Sequence, residues 1–144
     1  MSDLTIESLL PHRPPMLLVD EIVEKTEKTI HCRKVFAEHD FFVQGHFPNF
    51  PLVPGVILCE CALQAGAMLV SSLSINGVKG VPVVTRLDAV KFKRMVRPGE
   101  VVDIHVTLSD ALSNAFFMTA RVTVDGKMAT RLEFACTFAN VSEI

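Results

Sequence analysis

Gly45-His46-Phe47-Pro48-Asn49-Phe50-Pro51-Leu52-Val53-Pro54-Gly55 runs directly into Val56-Ile57-Leu58-Cys59-Glu60-Cys61-Ala62-Leu63-Gln64-Ala65-Gly66-Ala67-Met68-Leu69-Val70. A stiff loop thus meets an apolar helix. Pro48, Pro51 and Pro54 restrict φ through the loop, and Pro54 suits a first helical turn, where a missing N–H costs nothing. His46 is therefore held in place. From Val56 to Val70 apolar residues fall on every helical face, so the helix is expected to be buried all round at the centre of a domain. Two polar residues break the run: Glu60 and Gln64 stand four apart, on one face, and a carboxyl group there must be paired, protonated or used. A membrane span is set aside. Pro54, Gly55, Glu60 and Gln64 interrupt the segment, and spanning takes about 20 predominantly apolar residues.

Upstream, Ser2 or Asp3 is placed to cap a short helix over 4–10, which the prolines after Arg13 would end. A strand over 16–23, a polar connection over 24–28 and a strand over 29–36 follow, with Ile30 and Cys32 on one face and His31 read as a solvated residue on the other. A helical turn over 37–42 leads into the histidine loop. The central helix is predicted over 54–73, stopped by Asn76-Gly77. Beyond Gly80 the pattern is all strand. A long bent strand over 83–96 turns at Pro98-Gly99 into 101–108, where Val102, Ile104, Val106 and Leu108 alternate with polar residues. Ser109-Asp110 and Ser113-Asn114 mark the next connection. Phe116, Met118, Ala120, Val122 and Val124 then share a face, Asp125-Gly126 signals a type I′ hairpin, and Leu132, Phe134, Cys136 and Phe138 complete an antiparallel meander. One apolar helix and a run of antiparallel strands require an α+β fold in which the sheet curls around the helix.

At 144 residues, residues 1–144 are expected to form a single domain. Hydrophobic residues make up 49% of the chain, rich for a small monomer, so apolar surface is expected to be hidden between subunits. With 14 basic and 16 acidic residues and a net charge of −2, nucleic-acid binding has little electrostatic support. Cys32, Cys59, Cys61 and Cys136 form no C-x-x-C, and the N-terminus carries no signal-peptide pattern, which reads as a reduced, cytoplasmic protein. Cys59 and Cys61 lie about 200° apart around a helix and cannot ligate one metal together. His12, His31, His39 and His105 are scattered, so no metal site is expected.

Leu10-Pro11-His12-Arg13-Pro14-Pro15-Met16-Leu17-Leu18-Val19-Asp20, then Gly45-His46-Phe47-Pro48 with Pro51 and Pro54-Gly55-Val56, then Glu60 and Gln64, and finally Phe92-Lys93-Arg94 with Arg97-Pro98-Gly99-Glu100, occur in family order and frame most of the chain. On these pieces the sequence resembles the FabZ-type 3-hydroxyacyl-[acyl-carrier-protein] dehydratases. The resemblance implies the hotdog fold, an antiparallel sheet wrapped around one long central helix. It implies dehydration without a cofactor, and sites that draw His46 and Glu60 from different subunits of a homodimer, often within a trimer of dimers. An acyl carrier protein is the implied partner.

Dehydrating a 3-hydroxyacyl thioester needs a base for the C2 proton, stabilisation of the enolate oxygen and a proton for the departing hydroxyl. His46 suits the base, since neutral imidazole is available near pH 7. Gly55 and Val56 open the helix and offer unpaired backbone N–H groups to a thioester oxygen. Glu60, roughly 7.5 Å further along the axis, is expected to be buried among Val56, Ile57 and Leu63 as the acid, with Gln64 orienting it. Lys91, Lys93, Arg94 and Arg97 form a basic cluster suited to an acidic carrier, or a solvated strand face. A thioesterase or a non-catalytic acyl-binding protein would share the fold. Neither calls for both a positioned histidine and an acid on the central helix.

Overall fold

The computed structural model describes residues 5–73 and 80–140. The chain opens with α1 (Ile6–Leu9), β1 (Glu21–Lys25), β2 (Thr29–Val35) and α2 (Phe41–Gln44). The central α3 (Gly55–Val70) follows and runs on into a 3-10 turn, Ser71–Leu73. β3 (Gly80–Phe92), β4 (Val101–Leu112), β5 (Ala115–Val124) and β6 (Lys127–Asn140) complete the described chain. The strands form one antiparallel sheet in the order β1-β2-β4-β5-β6-β3. It is the hotdog arrangement that the resemblance implies, with α3 packed against β2, β4, β5 and β6.

The core lies between the helix and the inner face of the sheet. Leu58, Met68, Leu69 and Val70 of α3 meet Ile104, Met118, Leu132 and Phe134 there, all nearly inaccessible to water. Each fully buried side chain of this kind stabilises by about 1.5–3 kcal/mol. Period-2 alternation on β4 and β5 supplies the inner face, as Val102, Ile104 and Val106 and then Phe116, Met118, Ala120, Val122 and Val124 are buried. At the β5–β6 hairpin Asp125 and Gly126 both have positive φ (52° and 76°), as a type I′ turn requires.

Several boundaries differ from the sequence reading. Four strands do not simply follow one another as a meander: β4, β5 and β6 do, but β3 crosses to the far edge and pairs with β6. β1 begins at Glu21, because the backbone at Met16 and Leu18 bonds to the Gln64 side chain instead of a neighbouring strand. The α1 cap is Thr5, in a reciprocal capping box with Ser8; Ser2, Asp3 and Asn76-Gly77 lie outside the described residues. α2 starts later than expected because Asp40 Oδ2 accepts from the Ala37 N–H and closes a turn ahead of it. β3 stops at Phe92, where the Lys93 and Arg94 amides both donate to the Ala129 carbonyl, and Val96 pairs only with Val53. Ser109-Asp110 is a bulge inside β4, and the turn is confined to Ser113-Asn114, with Ser113 at φ 56°.

The largest difference concerns the helix. Pro54 is its N-cap, and α3 is not buried all round: Val56 is 69% exposed, and Ile57, Glu60 and Leu63 are partly open. These positions make one stripe along the N-terminal half. The segment Gly55–Leu73 is apolar and long enough to cross a membrane, but most of it is covered within the fold.

His31 is also not simply solvated. On the outer face its Nε2 lies 2.7 Å from Asp103 Oδ1, its ring stacks on His105 at 4.1 Å, and Arg33 Nε donates to the same Asp103 oxygen at 2.9 Å. Burial alone would raise the Asp103 pKa, but the hydrogen bonds from His31 and Arg33 bring it below the usual 3.8. Burial, then the neighbouring His31 and Arg121, lower that of His105. A depressed carboxylate pKa stabilises the fold above the unfolded value and ceases to do so as pH falls through the folded one. Asp103→Asn should therefore lower the thermal midpoint at pH 7, with the gap to the parent closing as pH drops below 3.8; a gap independent of pH would assign the loss to packing.

Gly66 faces the sheet, and a Cβ there would lie 2.6 Å from the Phe134 ring and 3.0 Å from Met118 Sδ. Overpacking costs about 1–3 kcal/mol, against a helix-propensity gain of up to about 1 kcal/mol for Gly→Ala. Gly66→Ala is expected to lower stability by about 1 kcal/mol on balance, read from thermal or denaturant unfolding at fixed protein concentration. An unchanged or raised midpoint would show that the Phe134 ring yields freely.

Candidate active site

The loop from Gly45 to Pro54 is tied to itself. The His46 N–H donates to the Val43 carbonyl at 2.9 Å, the Leu52 N–H to the His46 carbonyl at 2.8 Å, and Phe47 and Phe50 exchange backbone hydrogen bonds at 3.1 Å. The imidazole stacks on Phe47 at 4.5 Å, and Nδ1 lies 3.3 Å from the Leu52 carbonyl oxygen. A carbonyl only accepts, so this contact puts the ring proton on Nδ1 and leaves the Nε2 lone pair free to take a proton.

His46 lines a cavity of about 740 Å³ together with Gly55 and Val56 at the start of α3, Phe92 at the end of β3, and Lys93 and Arg94 just beyond it. The first amides of α3 to reach the Pro54 carbonyl are those of Ile57 and Leu58, at 2.9 and 3.3 Å. Helix geometry leaves the Gly55 and Val56 amides without an intrahelical acceptor, and Pro54 supplies no side-chain cap. The positive end of the helix dipole is added to them. A Cβ at Gly55 would lie 2.6 Å from the Phe92 ring, so the small residue is required for packing as well as for open access to the helix end.

Glu60 opens into a different cavity, of about 290 Å³, shared with His12, Gln64, Ala67, Cys136 and, on the edge strand β3, Pro82, Val83 and Val84. Its side chain is about a quarter exposed, against the expectation of full burial, because Val56 turns outward and Ile57 is only partly covered. Gln64 is 1% exposed and fully committed: its Oε1 accepts from the Leu18 N–H at 2.8 Å, and its Nε2 donates at 2.9 Å both to the Met16 carbonyl and to Glu60 Oε2. Flipping the amide would set oxygen against oxygen and nitrogen against N–H, so its orientation is determined. Glu60 is thereby anchored through one oxygen.

One chain therefore brings His46 together with Gly55, Val56, Lys93 and Arg94, and Glu60 together with Gln64, but leaves the two groups in separate cavities. The basic cluster is divided as well. Arg94 Nη2 is 3.5 Å from Glu100 Oε2, Arg97 lies over the Phe50 ring at 4.9 Å, and Lys91 pairs across the sheet with Arg131. His12, one of the scattered histidines of the sequence, has its Nε2 3.8 Å from Glu60 Oε2. The run Leu10-Pro11-His12-Arg13 was visible, but nothing in its spacing tied it to a helix some fifty residues on. No group of three His, Cys, Asp or Glu side chains gathers to hold a metal among the described residues.

Comparison with known proteins covers all of these parts. Residues 10–133 match the FabA-like domain. The chain is 40% identical over 131 residues to the 3-hydroxyacyl-[acyl-carrier-protein] dehydratase FabZ of Oenococcus oeni, covering 90% of this chain and 93% of that protein. It is 39% identical over 125 residues to the protein of the same name from Clostridium perfringens, covering 86% and 88%. Among solved structures it is similar to the dehydratase heterocomplex ApeI:P from Xenorhabdus doucetiae, with a TM-score of 0.83 at 17% identity over 99% of this chain and 95% of that one. It is also similar to the PaaI protein of the E. coli phenylacetic acid degradation operon, with a TM-score of 0.66 at 13% identity over 81% of each. At such low identity the structures speak for the fold alone. The family match and these relatives span most of the chain, and they place it in the FabA-like family, among its FabZ-type 3-hydroxyacyl-[acyl-carrier-protein] dehydratases.

Proposed function

We propose that the protein converts (3R)-hydroxyacyl-[acyl-carrier-protein] to the trans-2-enoyl thioester in fatty-acid or related polyene or polyketide biosynthesis, by acid-base chemistry without a cofactor. The observation that carries this reading is His46 with a free Nε2 lone pair beside the uncapped start of α3. His46 takes the C2 proton. The electron pair of that C–H bond forms the C2=C3 double bond, while negative charge developing on the thioester oxygen is met by the Gly55 and Val56 amides. As the C3–O bond breaks, Glu60 gives its proton to the hydroxyl, which leaves as water. One proton has then moved from the carboxyl to water and one from carbon to imidazole, and exchange through solvent restores both groups.

Two subunits are needed for this arrangement. His46 and Glu60 occupy separate cavities within a chain, and the Glu60 cavity reaches edge strand β3, whose Val84 and Leu87 are 41% and 48% exposed. Exposed Phe47, Val56, Phe92 and Met95 surround the His46 side. Apolar surface of this extent on a small protein marks an association site. A second copy placed along β3 would bring its Glu60 to the first copy's His46, with the acyl chain in the seam. We further infer that such dimers group as a trimer of dimers, and that the buried free thiols of Cys32, Cys59, Cys61 and Cys136 suit a reducing, cytoplasmic setting.

His46→Ala and Glu60→Gln should each remove most turnover, about 10²- to 10⁴-fold, with the fold preserved by circular dichroism. Enoyl hydration, the reverse reaction, should fall in step. Refolding the two inactive proteins together should restore activity, since about half of a random mixture is mixed dimer and about a quarter of all sites would hold both groups. No recovery, with exchange verified by mass spectrometry, would place both groups in one chain. A thioesterase would instead release free thiol from either substrate.

Lys93 and Arg94, which line the His46 cavity, are proposed with Lys91 and Arg97 to receive an acidic carrier protein. Charge reversal at these positions should raise KM for carrier-bound substrate far more than for a small thioester, and flatten its salt dependence. Equal effects on both substrates would count against a docking role.

A further inference from the structure

We propose that His12 is a positioning residue for the acid: with Gln64 it holds Oε2 of Glu60, so that Oε1 is the oxygen turned toward the departing hydroxyl. The inference rests on the reading of Glu60 as the proton donor. The segment that carries His12 has no regular structure, yet it is fixed at both ends. The Arg13 guanidinium grips the carbonyls of Leu10 and His12, each at 2.7 Å, and that of Glu7 at 3.1 Å. Four residues on, the Gln64 amide binds Met16 and Leu18 to α3. His12 thus sits in a segment that Arg13 braces against its own backbone on one side and Gln64 fastens to α3 on the other.

Its ring chemistry then follows from burial. Nδ1 is shielded from water and has no hydrogen-bond partner, whereas Nε2 faces Glu60 Oε2 across 3.8 Å. A buried orphan N–H is costlier than a buried orphan lone pair. The ring proton is therefore favoured on Nε2, on the side of the carboxyl group. Gln64 Nε2 already donates to Oε2 at 2.9 Å. With both donors directed to one oxygen, a protonated Glu60 carries its proton on the other, Oε1. At 3.8 Å the His12 contact is longer than a hydrogen bond, as such contacts in unliganded sites commonly are before substrate closes them.

Two replacements separate the N–H donor from the bulk of the ring. His12→Leu keeps the apolar volume and loses the donor; His12→Gln keeps an amide N–H near the place of Nε2. Leucine should lower kcat by up to about 10²-fold, the order of effect expected when a reacting group is misplaced, with KM little changed. Glutamine should recover most of that loss. Added to Glu60→Gln, His12→Leu should cost nothing further, because no acid remains to be positioned. Equal kcat for the Leu and Gln variants, or a full additional loss in the Glu60→Gln background, would overturn the inference while leaving Glu60 as the acid. Near-parental turnover of Glu60→Gln alone would instead remove the reading on which it rests. Thermal midpoints of all variants identify any loss caused by unfolding, and the comparison of Leu with Gln survives an equal change in both.

Discussion

A helix that is apolar on nearly all its faces has to be covered, and no flat sheet covers more than one side of it. Much of this molecule answers to that constraint. The sheet bends over α3 from β2 to β6, and the side toward the N-terminus is closed by Leu10, Leu18 and Val19. What neither covering reaches is the stripe containing Val56, Glu60 and Leu63. The proposed chemistry occupies that uncovered strip, where an acid can meet water or substrate without being stranded in hydrocarbon.

Placing a polar side chain in such a core is tolerable only when every hydrogen-bonding atom is satisfied, and Gln64 meets that condition while joining three parts of the protein. Its carbonyl oxygen and amide nitrogen bind the extended segment at Met16 and Leu18, and the remaining amide hydrogen serves Glu60. The same residue thus closes one side of the core and fixes the Glu60 carboxyl group. Breaking it would expose an unpaired backbone N–H at Leu18 inside the core, at a cost of about 1–3 kcal/mol, before any effect on catalysis. Fold and site are coupled at this point.

Much of this was legible in the sequence because it is local. The proline-bounded histidine loop, the apolar run of α3, the alternation on β4 and β5 and the Asp125-Gly126 hairpin each follow from spacing of a few residues. What escaped depends on distant partners. Residues 16–18 look like a strand by composition, but a turn onto the Arg13 carbonyl and the side chain of Gln64, 46 positions from Leu18, take up their backbone groups instead of the sheet. His31 reads as a polar strand residue until register brings Asp103 and His105 beside it. Gly66 is unremarkable in an alanine-rich helix until Phe134 is laid across it. The exposure of Glu60 follows from how far the sheet can curl, and His12 from where Arg13 and Gln64 pin a loop. Periodicity carries none of these.

The two ends of the structural argument meet at the start of α3. The four-residue α1 is capped reciprocally by Thr5 and Ser8, whereas the sixteen-residue α3 begins at Pro54 with no side-chain cap. A Ser, Thr or Asp cap is typically worth about 1 kcal/mol, so the longer helix forgoes stabilisation that the shorter one takes. It can do so because tertiary burial, more than its termini, holds it in place. A capping oxygen at position 54 would also occupy the amides that open the helix, and a side chain at Gly55 would collide with Phe92. Under the proposed function those free amides await a thioester oxygen, and the stability left unclaimed at the helix end is the condition for stabilising charge there during the reaction.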